Sequence, residues 1–165
     1  PPPPAFDHGG NDVLRFARTS VACVPAVAVP GAPGIPEIRS VLATTDLSEL
    51  GNRAIPWAYA LVGKGGTVHL LHVADEKSRP ADLSTQLREL NPESAVTRGI
   101  ESQVHVLVDA QVARTIAQEA ERLGVDTVCM ASHGRSGLSE ALLGSVAHAL
   151  VGLSRRPVFL VRMSE

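Results

Sequence analysis

Thr127-Val128-Cys129-Met130 runs directly into Ala131-Ser132-His133-Gly134-Arg135-Ser136-Gly137, and Gly144-Ser145 follows a few residues later. The opening run is short and mostly apolar, the pattern of a strand buried on both faces of a parallel sheet. Leu138 to Leu153 reads as a helix. Glycines between a strand and a helix let the backbone come close to a ligand and aim unpaired N–H groups at it. Phosphate can be held in this way without a strongly basic surface.

The same alternation extends in both directions. Val41-Leu42-Ala43-Thr44 reads as a first strand. Ala54 to Val62 reads as a helix, with Asp46 or Ser48 as its N-cap and Pro56 in its opening turn. Gly63-Lys64-Gly65-Gly66 stops that helix. Val68 to Val73 is a second strand. Residues 75–99 are polar, carry Pro80 and Pro92, and read as a long loop with one helical turn at most. Val104 to Val108 is a third strand. Val112, Ile116, Ala120 and Leu123 fall on one helical face, and Gly124 ends that helix. Val125 to Met130 is the fourth strand and Pro157 to Val161 the last. Strands separated by helices predict an α/β domain: a five-stranded parallel sheet sandwiched by helices, with right-handed crossovers. In such a sheet the ligand site lies beyond the carboxyl ends of the strands. Asp46, Val73 and the glycine loop are all expected at that rim.

Composition narrows the function. An apolar share of 44% supplies a real core, and 3% aromatic makes it a core of Val, Leu, Ala and Ile. A formal net charge of -2 argues against a nucleic-acid or anionic-membrane surface as the main business. The two cysteines, Cys23 and Cys129, form no dense framework, which is compatible with a reducing cytosol. Four opening prolines do not read as a secretory leader, and prolines break the apolar stretch Val21 to Val29, which is too short to span a bilayer.

The chain also carries a faint copy of its own ending. Phe16 to Val24 can be laid over Leu153 to Val161 at an offset of 137 residues (153 − 16), matching Arg18 with Arg155, Val21 with Val158 and Val24 with Val161. Residues up to about Pro25 are either the tail helix and strand of a preceding copy or a chance likeness between two short apolar segments. In the first case, Val21 to Val24 should lie beside Val158 to Val161 within one chain, where a dimer partner would otherwise sit.

Several chemistries fail on spacing. A P-loop needs a lysine before its serine, and Gly144-Ser145 has none. A dinucleotide fingerprint needs glycines after the first strand, and Thr44 to Leu50 contains none. A serine-hydrolase elbow needs G-x-S-x-G, but Leu138 stands where the last glycine belongs. His69 and His72 are three apart on a strand and point to opposite faces, so they do not form a metal pair.

What remains, Ala131-x-x-Gly134 followed after nine residues by Gly144-Ser145, closely resembles the nucleotide-binding motif G-x2-G-x9-G-[S/T] of the universal stress protein family. Thr44-Thr45-Asp46-Leu47-Ser48-Glu49 and His72-Val73-Ala74-Asp75-Glu76 resemble the ends of its first two strands. The likeness covers nearly all of residues 37–165, leaving 1–36 as an N-terminal extension or linker. It implies an adenine nucleotide alpha hydrolase-like fold whose last strand, Val158 to Val161, pairs antiparallel in a homodimer or within a tandem chain. It further implies an ATP site, with Mg²⁺, drawn from Thr44, Asp46, Val73, Met130, Ala131, His133, Gly134, Arg135, Gly144, Ser145 and Val146. The residue matching Asp46 would contact the ribose or adenine side, Val73 would offer backbone to adenine, and the glycine loop would hold phosphates. One departure stands out: Ala131 replaces the first glycine, which costs roughly 1 kcal/mol or more if that position needs a positive φ, and little if it is extended.

The expected role is a cytoplasmic, ATP-binding regulatory domain. The alternative is a dimeric interaction module of the same fold without nucleotide. No general base is evident apart from His133, so hydrolysis would be slow at most.

Overall fold

The computed structural model describes residues 13–14, 17, 19–25, 37–132 and 143–162. Six strands form one sheet: β1 (Val21–Cys23), β2 (Ser40–Thr44), β3 (Thr67–Ala74), β4 (Glu101–Val108), β5 (Thr127–Ala131) and β6 (Val158–Val161). Their spatial order is β1-β6-β5-β2-β3-β4. Strands β2 to β6 run parallel, and β1 lies antiparallel on the outer edge of β6. The expected five-stranded parallel core is present, with a sixth strand added at the edge.

The helices are α1 (Glu49–Asn52), α2 (Ala54–Leu61), α3 (Pro80–Glu89), α4 (Ser94–Thr97), α5 (Val112–Leu123) and α6 (Ser145–Leu153). They cover both faces because alternate strand residues point opposite ways. Val41, Ala43, Val68 and Leu70 pack with Ala54, Ile55 and Ala58 of α2 and Leu87 of α3. Leu42, Leu71 and Val128 pack on the other face with Ile116 and Ala120 of α5 and Leu150 of α6. The α5 prediction holds to its last residue, where Gly124 takes the left-handed conformation (φ 65) that closes a helix at little steric cost.

Residues 75–99 differ from expectation. They form two helices, α3 and α4, in place of a loop. Pro80 is the first residue of α3, where its missing N–H is not needed, and Leu87 anchors the helix in the core. Strand β4 also starts at Glu101, earlier than read, because an edge strand tolerates Glu101, Ser102 and Gln103 on its rim. Residues 138–142 of the expected last helix lie outside the described residues, and α6 begins at Ser145.

His69 and His72 do occupy opposite faces of β3. On the α5 side, His69 Nδ1 lies 3.1 Å from His105 Nε2, and His105 Nδ1 lies 3.6 Å from Glu119 Oε1. Glu119, itself buried, accepts two hydrogen bonds from Arg122 at 2.7 and 2.6 Å. One ring of the pair must present a lone pair to the other, so full protonation breaks the contact. Burial pushes both histidines below their ordinary value; Glu119 pulls His105 back upward less strongly. The Arg122 hydrogen bond holds Glu119 below the usual carboxylate range.

The native state therefore resists proton uptake at all three groups. Stability from the histidines is present above about pH 6.5 and is lost as pH falls below it, and Glu119 adds a second loss at lower pH. Urea midpoints measured from pH 7.5 to 5.5 should fall for the wild type and flatten in the His69→Gln/His105→Gln double variant. An unchanged slope would place the pH sensitivity elsewhere.

Candidate functional site

Sheet order reverses between β2 and β5: from β2 the chain continues to β3 on one side, while β5 leads to β6 on the other. The ends of two adjacent strands there are followed by connections that leave in opposite directions, opening a crevice. A cavity of about 550 Å³ occupies it, within the range of small-molecule sites. Of the expected ligands, Thr44, Asp46, Val73, Met130, Ala131, Gly144, Ser145 and Val146 all line it. His133, Gly134 and Arg135 lie outside the described residues.

The β2–α1 loop is tied down residue by residue. Thr45 Oγ1 accepts from Leu47 N–H (2.9 Å) and donates to Asn52 Oδ1 (2.7 Å). Asp46 Oδ1 accepts from the Ser48 amide (3.0 Å) and hydroxyl (2.5 Å). Ser48 then caps α1 by accepting from Gly51 N–H at 3.0 Å. Between them Leu47 adopts φ 61, the left-handed region that costs a non-glycine residue about 1–2 kcal/mol. Strain of this kind clusters where structure over-determines a loop for function. Asp46, on the N-terminal side of Leu47, lines the crevice. His72 braces the same loop from β3, its Nδ1 donating to the Thr45 carbonyl at 2.8 Å.

On the β5 side Ala131 lies within the strand, paired with Val161, and its φ is not positive. The methyl group that replaces a glycine hydrogen is thus accommodated without backbone strain. Ser132 N–H donates to Val161 O (2.9 Å) and Ser132 O accepts from Gly144 N–H (2.8 Å). That last bond closes the loop and engages the Gly144 amide internally. Gly144 is instead the N-cap of α6 (φ -58, ψ 145), where glycine escapes the penalty of a helix interior. The amides of Ser145, Val146 and Ala147 open the helix. First-turn amides have no partner inside a helix and carry its positive end. Ser145, Val146 and Ala147 line the cavity, as does Asp46.

Reading the sequence missed a regularity of the rim. Asp46, Asp75 and Asp109 each follow a parallel strand, and each turns its carboxylate onto the chain two residues ahead: Ser48, Lys77 and Gln111. Asp75 also accepts from Ser78 Oγ at 2.7 Å. The Gln111 N–H, and next the Thr115 hydroxyl, hold the Asp109 carboxyl below its usual range. A hydrophobic run ending in aspartate, three times over, was the available signal. Below the crevice, burial pushes the Cys129 thiol up to about 12, and it donates to the Ala54 carbonyl; it is a small core side chain and not a nucleophile.

Among the described residues, no three histidine, cysteine or acidic side chains converge as metal ligands.

Known proteins share this fold. The YxiE universal stress protein of Bacillus subtilis is 36% identical over 70 residues, 42% of this chain and 47% of its own length. The universal stress protein MJ0577 of Methanocaldococcus jannaschii is 45% identical over 47 residues, 29% of its length. The matched stretches thus span less than half of these curated relatives. The solved structure of MJ0577 superposes with a TM-score of 0.65 at 26% identity, covering 79% of this chain and 99% of that one. A universal stress protein from Archaeoglobus fulgidus gives 0.68 at 26% identity, covering 93% of this chain and 53% of that one. A model of the Universal stress protein family matches residues 37–162, and by that match the chain belongs to the universal stress protein family.

Proposed function

We propose that this domain binds ATP, carried with Mg²⁺, in the β2/β5 crevice, and that occupancy shifts its stability or partner affinity as part of a cytoplasmic stress response. The position of the cavity supports this most: it lies at the switch point and is lined by the first residues of α6 together with Asp46 and Val73. Amides and the helix positive end suit a polyphosphate; a carboxylate and backbone polar groups suit ribose and adenine. His133, Gly134 and Arg135 would complete the phosphate side. The proposed unit is residues 37–165, with 1–36 as an extension. Among the described residues, no helix is long and apolar enough to cross a membrane.

A second reading has its own support. The three rim aspartates and the engaged Gly144 amide disfavour a bare polyanion, as expected of an interaction module without nucleotide. Thermal unfolding separates the two. ATP with Mg²⁺ at about a hundredfold over Kd should stabilise the fold by ~2.7 kcal/mol, which is about 5–10 °C at this chain length. No shift at millimolar ATP, together with no nucleotide in the mass spectrum of freshly purified protein, would favour the interaction module. The edge of β6, which would join two copies, is already paired by β1 within the chain. Homodimerisation through Val158–Val161 is therefore not expected while β1 stays in place.

A further inference from the structure

The β1–β6 ladder has an unexpected symmetry. Its pairs are Val21 with Leu160, Ala22 with Phe159 and Cys23 with Val158. Adding the 137-residue offset of the internal likeness to Val21 gives Val158, and to Cys23 gives Leu160. The first and last pairs thus exchange under the offset, and Ala22 maps onto its own partner, Phe159. An antiparallel ladder has this property when a two-fold axis passes through its central pair. A chance strand laid on the edge could take any register.

Two more observations follow the same offset. Val13 and Leu14 are helical, and Ala17 N–H donates to Val13 O at 3.0 Å. Their counterparts Leu150 and Val151 end α6, where Ser154 N–H donates to Leu150 O at 2.8 Å. Burial then divides by side. Leu14 and Cys23, which face this domain, are as buried as Val151 and Leu160. Val13 and Val24 are 56% and 66% exposed, although their counterparts Leu150 and Val161 are 0% and 1%. The residues left bare thus have counterparts that sit in a core.

We infer that the helical pair Val13-Leu14 and strand β1 are the closing helix turn and strand of a second α/β domain of this same fold, preceding this one in the polypeptide, whose core covers Val13 and Val24. The open edge of β1 pairs with the parallel strand of that domain equivalent to β5, making one continuous sheet across the two-fold axis. The match of 93% of this chain to about half of the longer Archaeoglobus fulgidus protein fits such an arrangement.

The natural polypeptide, detected in its source cells with an antibody to residues 37–162, should run well above 17.3 kDa. A natural product of that mass would overturn the inference. In the longer polypeptide the outward amides of Val21–Val24 should exchange at least tenfold more slowly than in the 165-residue chain. Val24→Asp should lower its Tm while leaving that of the 165-residue chain unchanged. Equal exchange, or a substitution silent in both, would overturn it; if the variant of the longer protein does not fold, exchange in the unmodified protein decides. ATP binding by the 165-residue chain is unaffected by either result, so this inference and the nucleotide reading fail separately.

Discussion

Gly51→Ala should weaken ATP binding at least tenfold while leaving the fold largely intact. Gly51 lies in α1 beneath the Asp46 carboxylate, and a Cβ built there meets Asp46 Oδ1 at 2.2 Å, Thr45 Oγ1 at 3.1 Å and Ser48 Oγ at 3.2 Å. The first distance is impossible, so the carboxylate must move. Asp46 has little room to do so, being held by the Ser48 amide and hydroxyl. Turning it away loses those bonds and removes the proposed ribose or adenine contact. Gly51 is helical and its φ is not positive, so alanine brings no backbone strain and a gain in helix propensity. Lost hydrogen bonds at a half-buried loop cost about 1 kcal/mol each, against a tenfold affinity change of 1.4 kcal/mol. Titration calorimetry with ATP and Mg²⁺, beside a urea melt of the same sample, reads both quantities. Unchanged affinity would remove Asp46 from the nucleotide site and leave it as a turn former.

The frame of the molecule was legible because it depends on the length and period of the apolar segments. The four apolar runs from Val41 to Met130 are too short for buried helices, the Val112–Leu123 stripe has the helical period, and each became the expected element. Residues 75–99 were not legible, because α3 is polar on most of its surface and only Leu87 is fully buried; its start signal, Pro80, also breaks helices when placed elsewhere. In the crevice, the motif marked Ala131, Gly144 and Ser145 because spacing along the chain is what a motif records. It did not mark Thr45, Gly51 or His72, whose roles arise from contacts across the sheet, such as His72 on the Thr45 carbonyl. The engaged Gly144 amide was invisible for the same reason: its acceptor, Ser132 O, is set by how the loop closes.

Leu42→Ala should do the reverse of Gly51→Ala, costing about 3–5 kcal/mol of stability and sparing the site. Leu42 is fully buried in the central strand, where Val128 of β5 and His69 of β3 flank it in register. Removing the methine and its two methyl groups leaves a cavity that neighbouring backbone cannot close, because ladder hydrogen bonds fix both flanking strands. The penalty therefore lies in the upper part of the range seen for buried leucines, and Tm should fall by roughly 10 °C. Leu42 does not line the crevice, although Leu71 and Met130 belong both to its packing cluster and to the cavity floor. Affinity measured well below the lowered Tm should stay within about threefold of the wild type. The pair of variants thus tests whether Asp46 and its loop form a site that can fail while the sheet stands. If Leu42→Ala weakened ATP binding as much as Gly51→Ala, the crevice would be an extension of the core, and its shape would depend on packing throughout the α5 face.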